Sequence, residues 1–314
     1  MKTSPKCLIV TGIADRFARE IARLSDESIP ATACAAATEA LARYTDETIL
    51  FGTPDLIADV LPAMPTVDWV QSSWAGVTPL IELERRDYVL TGVKGVFGPQ
   101  MAEYVLGYLL ERELRIAERR EHQAERRWFT EFSGTLHNRR LGIMGTGSIG
   151  RHIAGMARHF GMRTVGLSRS GSPAEGFDEV LPVDSLHRFL GSLDYLVSTL
   201  PQTAETDGLL DARALAQLPR HACFINVGRG NVVDHGALIA ALQDERLGGA
   251  VLDVFETEPL PQESPLWSTP GLSVTAHVAA VSHPLLIVPV FVENYRRYCR
   301  GQELDYVVDF EAGY

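Results

Sequence analysis

Three ionisable residues in the second half of the chain stand where β-rich runs stop. Residues 223–227 lead into Gly228-Arg229-Gly230, 250–255 into Glu256-Thr257-Glu258-Pro259, and 272–276 into His277. Ligands of an open parallel sheet gather at the carboxyl ends of its strands. An arginine, a carboxylate and an imidazole on neighbouring strand ends therefore describe an acid–base site with an anion-holding fork beside it. Spacing alone admits either Glu256 or Glu258 as the carboxylate. His283 is the rival imidazole, but it stands before Pro284, where a helical pattern begins. Arg229, between two glycines, also fits an ordinary surface loop, so the case for it is its place at a strand end.

A second constellation is Gly145-Thr146-Gly147-Ser148-Ile149-Gly150, which follows the run 141–144 directly and opens a helical pattern. The first glycine permits the tight turn, the second lets a pyrophosphate approach the backbone, and the third allows close helix-to-strand packing. The helix start offers unpaired N–H groups and a partial positive charge to the phosphates. This context predicts a bound dinucleotide. At the end of the next strand an acidic residue would hydrogen-bond a ribose 2′-hydroxyl, but the sequence has Ser168-Arg169-Ser170 there. Arg169 would pair with a 2′-phosphate and the serines would donate to it, which favours NADP while leaving NAD possible. The alternative is that Arg169 is simply a solvated strand-end residue.

Those residues must be carried by alternating strands and helices, the pattern of parallel sheets covered on both faces. Runs 7–10, 48–51 and 69–71 read as strands of a first, smaller α/β region, with helices at 16–24 and 56–61. From residue 140 a second alternation begins, with strands at 141–144, 163–167, 195–199, 223–227, 250–255 and 272–276. Residues 281–298 return to helix and 304–310 form a short β-like tail. The predicted fold is α/β with two doubly wound parallel-sheet domains. The substrate domain is discontinuous, 1–97 joined by 281–314, and flavodoxin-like; the dinucleotide-binding Rossmann domain is 98–280. Catalysis is expected to need closure of the cleft between them about Gly95, Gly98 and the segment near Ala280. Residues 100–127 read as one long helix whose second half interleaves Arg and Glu. It is either a solvated face of ion pairs or, through Met101, Tyr104, Val105, Tyr108 and Leu109, a contact with a second subunit. The second reading gives a homodimer, with Trp128 and Phe129 reaching toward the partner.

Composition narrows the partners. With 29 Lys and Arg against 40 Asp and Glu the net charge is −11, which disfavours nucleic acid. No apolar run approaches the ~20 residues of a membrane span. The four cysteines are far apart, with no C-x-x-C pair and no metal-ligand spacing, so they read as reduced thiols of a cytoplasmic protein without a metal site.

The glycine loop at 145–150, Asn226-Val227-Gly228-Arg229-Gly230-Asn231-Val232-Val233-Asp234, Leu252-Asp253-Val254-Phe255-Glu256-Thr257-Glu258-Pro259-Leu260-Pro261 and Thr275-Ala276-His277-Val278-Ala279 together resemble the signature blocks of the D-isomer-specific 2-hydroxyacid dehydrogenases. The likeness runs through essentially the whole chain in the same order. The C-terminal residues 287–309 and Ser168-Arg169-Ser170 resemble the glyoxylate/hydroxypyruvate reductase branch in particular. Two positions depart from the pattern. Ala276 stands where a proline commonly precedes the family histidine, and Ser73-Trp74-Ala75-Gly76-Val77 puts a bulky indole in a loop that is usually smaller.

The resemblance implies roles. Arg229 would hold a substrate carboxylate and polarise the 2-keto oxygen, His277 would give that oxygen a proton, and Glu258 would orient the imidazole and favour its charged form. The N–H groups of Ala75, Gly76 and Val77 would cradle the carboxylate as an anion nest. Trp74 would close the pocket around a small substrate, stack on a longer one, or merely pack. Asp253 would bind the nicotinamide carboxamide, its alternative being a structural turn carboxylate. Thr199, Leu200 and Pro201 would line the cofactor cleft, with Val227 and Gly228 beside it. The implied activity is reduction of a small 2-keto acid to the D-2-hydroxy acid. Some relatives act instead as non-catalytic, dinucleotide-sensing corepressors, and larger phosphoglycerate and formate enzymes share the pattern. The missing regulatory domain and the lack of a 2-keto group in formate speak against the last two.

Overall fold

Four-residue apolar runs bounded by turn residues are too short for helices, and in this chain they become strands buried on both faces, as parallel strands under two helical layers must be. The computed structural model of the chain describes residues 4–25 and 29–311. Its elements begin with β1 (Cys7–Val10), α1 (Ala14–Leu24), β2 (Ala31–Cys34), α2 (Ala37–Arg43), β3 (Ile49–Gly52), α3 (Pro54–Val60), β4 (Trp69–Ser72), α4 (Thr78–Ile81) and β5 (Val89–Thr91). Next come α5 (Gly98–Glu113), α6 (Ile116–Ala124), β6 (Arg140–Met144), α7 (Ser148–His159), β7 (Arg163–Ser168), β8 (Glu179–Pro182), α8 (Leu186–Leu190), β9 (Tyr195–Ser198) and α9 (Ala212–Leu215). The last are β10 (Cys223–Asn226), α10 (His235–Gln243), β11 (Gly249–Leu252), β12 (Leu272–Val274) and α11 (Pro284–Cys299). One compact unit takes the described residues up to Val96 together with those from Ser282 onward; Phe97–Val281 form the other.

The first unit holds a five-stranded sheet in the order β2-β1-β3-β4-β5, every neighbour parallel, which is the flavodoxin-like order. One face packs Leu8, Val10, Leu50, Ile57 and Val70 into an aliphatic core. On the other, Phe51 and Phe291 of α11 stack at 4.3 Å, with Trp69 5.5 Å from Phe291. The second unit holds a seven-stranded parallel sheet in the order β12-β11-β10-β9-β6-β7-β8. Counted from β6 this is the Rossmann arrangement, with the reversal of strand order between β6 and β9. Separate apolar clusters cover its two faces.

Several expectations need correction. The strands β2, β5 and β8 were not foreseen. The expected single helix over 100–127 is two helices, because Arg115 takes a left-handed backbone (φ 52°) between α5 and α6. The physical reason is loss of packing. Glu113 is pinned by Tyr195 Oη at 2.6 Å and Arg139 Nε at 2.8 Å, whereas α6 buries none of its side chains, so nothing apolar continues the helix axis past residue 113. Phe129 is held by its own chain: its ring stacks on His122 at 4.2 Å under Arg115 and Arg119. Trp128, at 93% exposure, projects into solvent. The tail near 307 makes one antiparallel bridge, Thr91 to Val307. Among the described residues no helix is long and apolar enough to cross a membrane.

Candidate active site

The glycine loop sits at the switch point of the second sheet. After β6, Gly145 adopts φ 100°, a conformation that favours glycine. A Cβ on Gly150 would lie 2.0 Å from the Gly145 carbonyl oxygen, so α7 can start this close to β6 only with glycine there. Gly147 is exposed, and nothing lies within 4 Å of where its Cβ would be. No side chain caps α7, so the first N–H groups, at Ser148 and Ile149, are left for a phosphate. Thr199 Oγ1 donates to the Met144 carbonyl at 3.0 Å and ties the end of β9 to this turn. Leu200 and Pro201 follow it, half-buried and exposed. Room at Gly147 and open donors at the helix start fit a dinucleotide pyrophosphate.

At the end of β7, Ser168 Oγ accepts the Gly171 N–H at 3.1 Å and Ser170 Oγ accepts the Ser172 N–H at 3.2 Å. Arg169 is exposed between them. The Glu205 carboxyl is held below its ordinary range, first by a hydrogen bond from the Thr203 side chain and lastly by the charge of Arg169. Arg169 thus faces the segment that follows β9.

The ionisable trio gathers at the ends of β10, β11 and β12. Buried Asn226 braces the first turn: its Nδ2 donates to the Arg229 carbonyl at 2.9 Å and its Oδ1 accepts the Gly228 N–H at 3.1 Å, both just past Val227. Burial lowers the pKa of the Arg229 guanidinium from its ordinary value, and the nearby Glu258 charge opposes the shift. Glu258 is the carboxylate partner of His277: Oε2 lies 2.8 Å from Nδ1, while Oε1 accepts the Phe255 N–H at 2.9 Å. A carboxylate only accepts, so Nδ1 carries a proton and Nε2 is left to face a reactant. Glu256 is exposed and makes no such contact. His283 caps α11 by accepting the Leu285 N–H, a structural task.

Two backbone features fix the trio. A Cβ on Gly230 would lie 2.0 Å from the Phe255 carbonyl carbon and 2.3 Å from the Glu256 nitrogen, so the Arg229 turn and the Glu258 turn abut with no room for a side chain. His277 has φ 54°, which costs roughly 1 kcal/mol or more for a residue other than glycine. Asp253 holds it there. Asp253 is 1% exposed; its carbonyl accepts the His277 N–H at 2.8 Å, and its carboxylate accepts the N–H groups of Val278 and Ala279 at 2.9 Å each. The structural role weighed for this residue is therefore present in the fold.

The loop after β4 belongs to the first unit. Ser72 Oγ accepts the Trp74 N–H at 3.0 Å and donates to the Trp74 carbonyl at 2.9 Å, leaving the indole 39% exposed. Among the described residues the N–H groups of Ala75, Gly76 and Val77 have no protein partner, as an anion nest requires. The sequence suggests no role for Asn226 or Thr275, and for Tyr104 only a contact with a second subunit. Asn226 lay inside a quoted block, and its side chain amide next to a Gly-Arg-Gly turn was the signal available. Among the described residues no group of three or more His, Cys, Asp or Glu is placed to hold a metal ion.

Comparison with known proteins gives a consistent result. Residues 106–279 match the family described as D-isomer specific 2-hydroxyacid dehydrogenase, NAD binding domain. The chain is 34% identical over 217 residues to glyoxylate/hydroxypyruvate reductase A of Salmonella paratyphi B, covering 69% of this chain and 70% of the relative. It is similar to the crystal structure of a D-isomer specific 2-hydroxyacid dehydrogenase family protein from Aeromonas salmonicida, with a TM-score of 0.94 and 39% identity over 98% of this chain and 100% of the other. It is also similar to the NADPH-dependent glyoxylate/hydroxypyruvate reductase of Sinorhizobium meliloti in complex with NADP and sulfate. There the TM-score is 0.84 and the identity 28%, over 99% of this chain and 100% of the other.

Proposed function

The chain belongs to the D-isomer-specific 2-hydroxyacid dehydrogenases, NAD(P)-dependent oxidoreductases, in a branch like glyoxylate/hydroxypyruvate reductase A, and we propose that it reduces a small 2-keto acid of the glyoxylate and hydroxypyruvate class to the D-2-hydroxy acid. The observation that carries this reading is the 2.8 Å pair of His277 Nδ1 and Glu258 Oε2 beside the half-buried Arg229. When bound, the dinucleotide supplies the hydride. Arg229 holds the substrate carboxylate with its planar fork and polarises the 2-keto oxygen. His277 gives that oxygen a proton from Nε2 as charge develops on it, and Glu258 keeps the ring oriented through Nδ1. Ala75, Gly76 and Val77 are assigned to anion binding on the strength of their open N–H groups, and Trp74, whose own N–H is taken by Ser72, to the substrate pocket beside them. Asp253 is assigned the nicotinamide carboxamide in addition to its structural bonds.

Gly145, Gly147, Ser148, Ile149 and Gly150 would hold the pyrophosphate, with Thr199, Leu200, Pro201, Val227 and Gly228 around the rest of the cofactor. We favour NADPH over NADH, because Ser168-Arg169-Ser170 offers donors and a guanidinium where a ribose-binding acid would stand, and the Sinorhizobium relative is NADPH-dependent. A cytoplasmic homodimer joined along α5 and α6 belongs to the same reading; a monomeric mass in light scattering at micromolar concentration would remove the dimer.

The test is a panel of glyoxylate, hydroxypyruvate, pyruvate and longer 2-keto acids against both cofactors. The highest kcat/KM is expected with one of the first two and NADPH. Arg169→Ala should lower kcat/KM for NADPH by about tenfold or more, the worth of one charge-assisted hydrogen bond, and leave that for NADH within twofold. A clear NADH preference would sink the NADPH assignment, and a preference for the longer acids would sink the substrate class. A single slow turnover with the cofactor retained would point instead to a sensor.

A further inference from the structure

We propose that Tyr104, which makes no contact with the trio, is a positioning residue for proton transfer, holding the His277 turn in place through Thr275 and Asp253. The inference rests on His277 being the acid, as proposed above. Tyr104 lies on α5, far from His277 in sequence, with its ring against Tyr108 at 4.9 Å. Its hydroxyl is 2.6 Å from Thr275 Oγ1, and Thr275 Oγ1 is 2.5 Å from Asp253 Oδ1. The direction of the chain follows from hydrogen-bond capacity. A carboxylate only accepts, so the Thr275 proton points at Asp253, and the Thr275 oxygen must accept from Tyr104. Burial pushes the Tyr104 phenol above its ordinary pKa, so the donor keeps its proton.

Asp253 sits at the far end of this relay and has little freedom left. Its two carboxylate oxygens take Thr275, Val278 and Ala279, and its own carbonyl takes the His277 N–H. His277 and three residues around it, Thr275, Val278 and Ala279, are therefore bonded to the carbonyl or carboxylate of Asp253, and Tyr104 is the outermost donor orienting that carboxylate. A second clamp one helical turn earlier on the same face of α5 supports the assignment. The Gln100 side chain amide accepts the Val281 N–H at 3.0 Å and donates to the Val281 carbonyl at 3.1 Å. Gln100 and Tyr104 together fasten both ends of the segment 275–281, with His277 between them. A coherent chain of hydrogen bonds polarises its members in one direction, so loss of the first donor is felt at the last acceptor.

The test uses the full-length protein and the best substrate of the panel. Tyr104→Phe removes one oxygen and is expected to lower kcat about tenfold, because small misplacement of an acid is costly, while KM and the Kd for NADPH stay within twofold. Thr275→Val should lose as much, Thr275→Ser should retain most of the wild-type kcat, and the double variant Tyr104→Phe with Thr275→Val should lose no more than either alone. In parallel, hydrogen exchange of peptides covering 272–281 should accelerate at least tenfold in Tyr104→Phe. A wild-type kcat in Tyr104→Phe overturns the proposal, as does an equal loss in KM and NADPH affinity, which would mean general loosening of the fold. If the wild-type protein reduces no 2-keto acid, the proposed function fails on that ground, and the exchange arm decides the relay alone: unchanged protection in Tyr104→Phe overturns it.

Discussion

Replacing His277 with alanine is expected to lower kcat by about 10³-fold while the Kd for NADPH, measured by fluorescence titration, changes less than twofold. The size follows from the work removed. Positioned acid catalysis contributes about 10² to 10⁴, and with Nδ1 committed to Glu258 at 2.8 Å, Nε2 is the nitrogen left for the proposed proton transfer. Glu258→Gln should lose less, about 10- to 100-fold, because the imidazole remains while the carboxylate that orients it through Nδ1 is replaced by a neutral amide. The ordering of the two variants is the informative result. A Glu258→Gln loss equal to that of His277→Ala would mean that the pair acts as one unit. Unchanged turnover in His277→Ala would exclude it as the acid.

Arg229→Lys is expected to lower kcat/KM by about 10²-fold and Arg229→Ala by about 10³-fold, with KM for the keto acid rising in both. Lysine keeps the charge but not the two parallel donors that match a carboxylate. Arg229 is also half-buried beside Glu258, so alanine strips the carboxylate of a neighbouring positive charge as well as the substrate of its anchor. Steady-state kinetics separate the two assignments: His277 variants should fall mainly in kcat, Arg229 variants in both parameters. An Arg229→Lys enzyme with wild-type KM would overturn the anchoring role.

Much of this site is legible in the sequence, and the missing parts have identifiable causes. The glycine loop, Arg229 and His277 announce themselves because each is tied to a local pattern, a strand followed by a turn. The choice of Glu258 over Glu256 was open on spacing and needed the resemblance; the structure gives the distance. Tyr104 and Thr275 left no local signal, since a hydroxyl pair 171 residues apart in sequence exists only after folding. Among the elements, β2 is an Ala-Thr-Ala-Cys edge strand and β8 an edge strand ending in proline, and neither has the apolar run that marks a buried strand. The break at Arg115 went unseen because a left-handed residue with a long charged side chain carries none of the usual marks of a helix end.

The abutment of Gly230 against Phe255 and Glu256 has a bearing on how such an enzyme could change its diet. The turn that carries the guanidinium and the turn that carries the carboxylate share a wall without space for a methyl group, so neither can be reshaped alone. Residues 226–230 and 253–258 make up an interchangeable part in the engineer's sense, inherited or discarded whole. If residues 73–77 bind substrate as proposed, new substrates would be won by varying them, for there Ser72 holds only the backbone of Trp74 and its side chain is partly exposed.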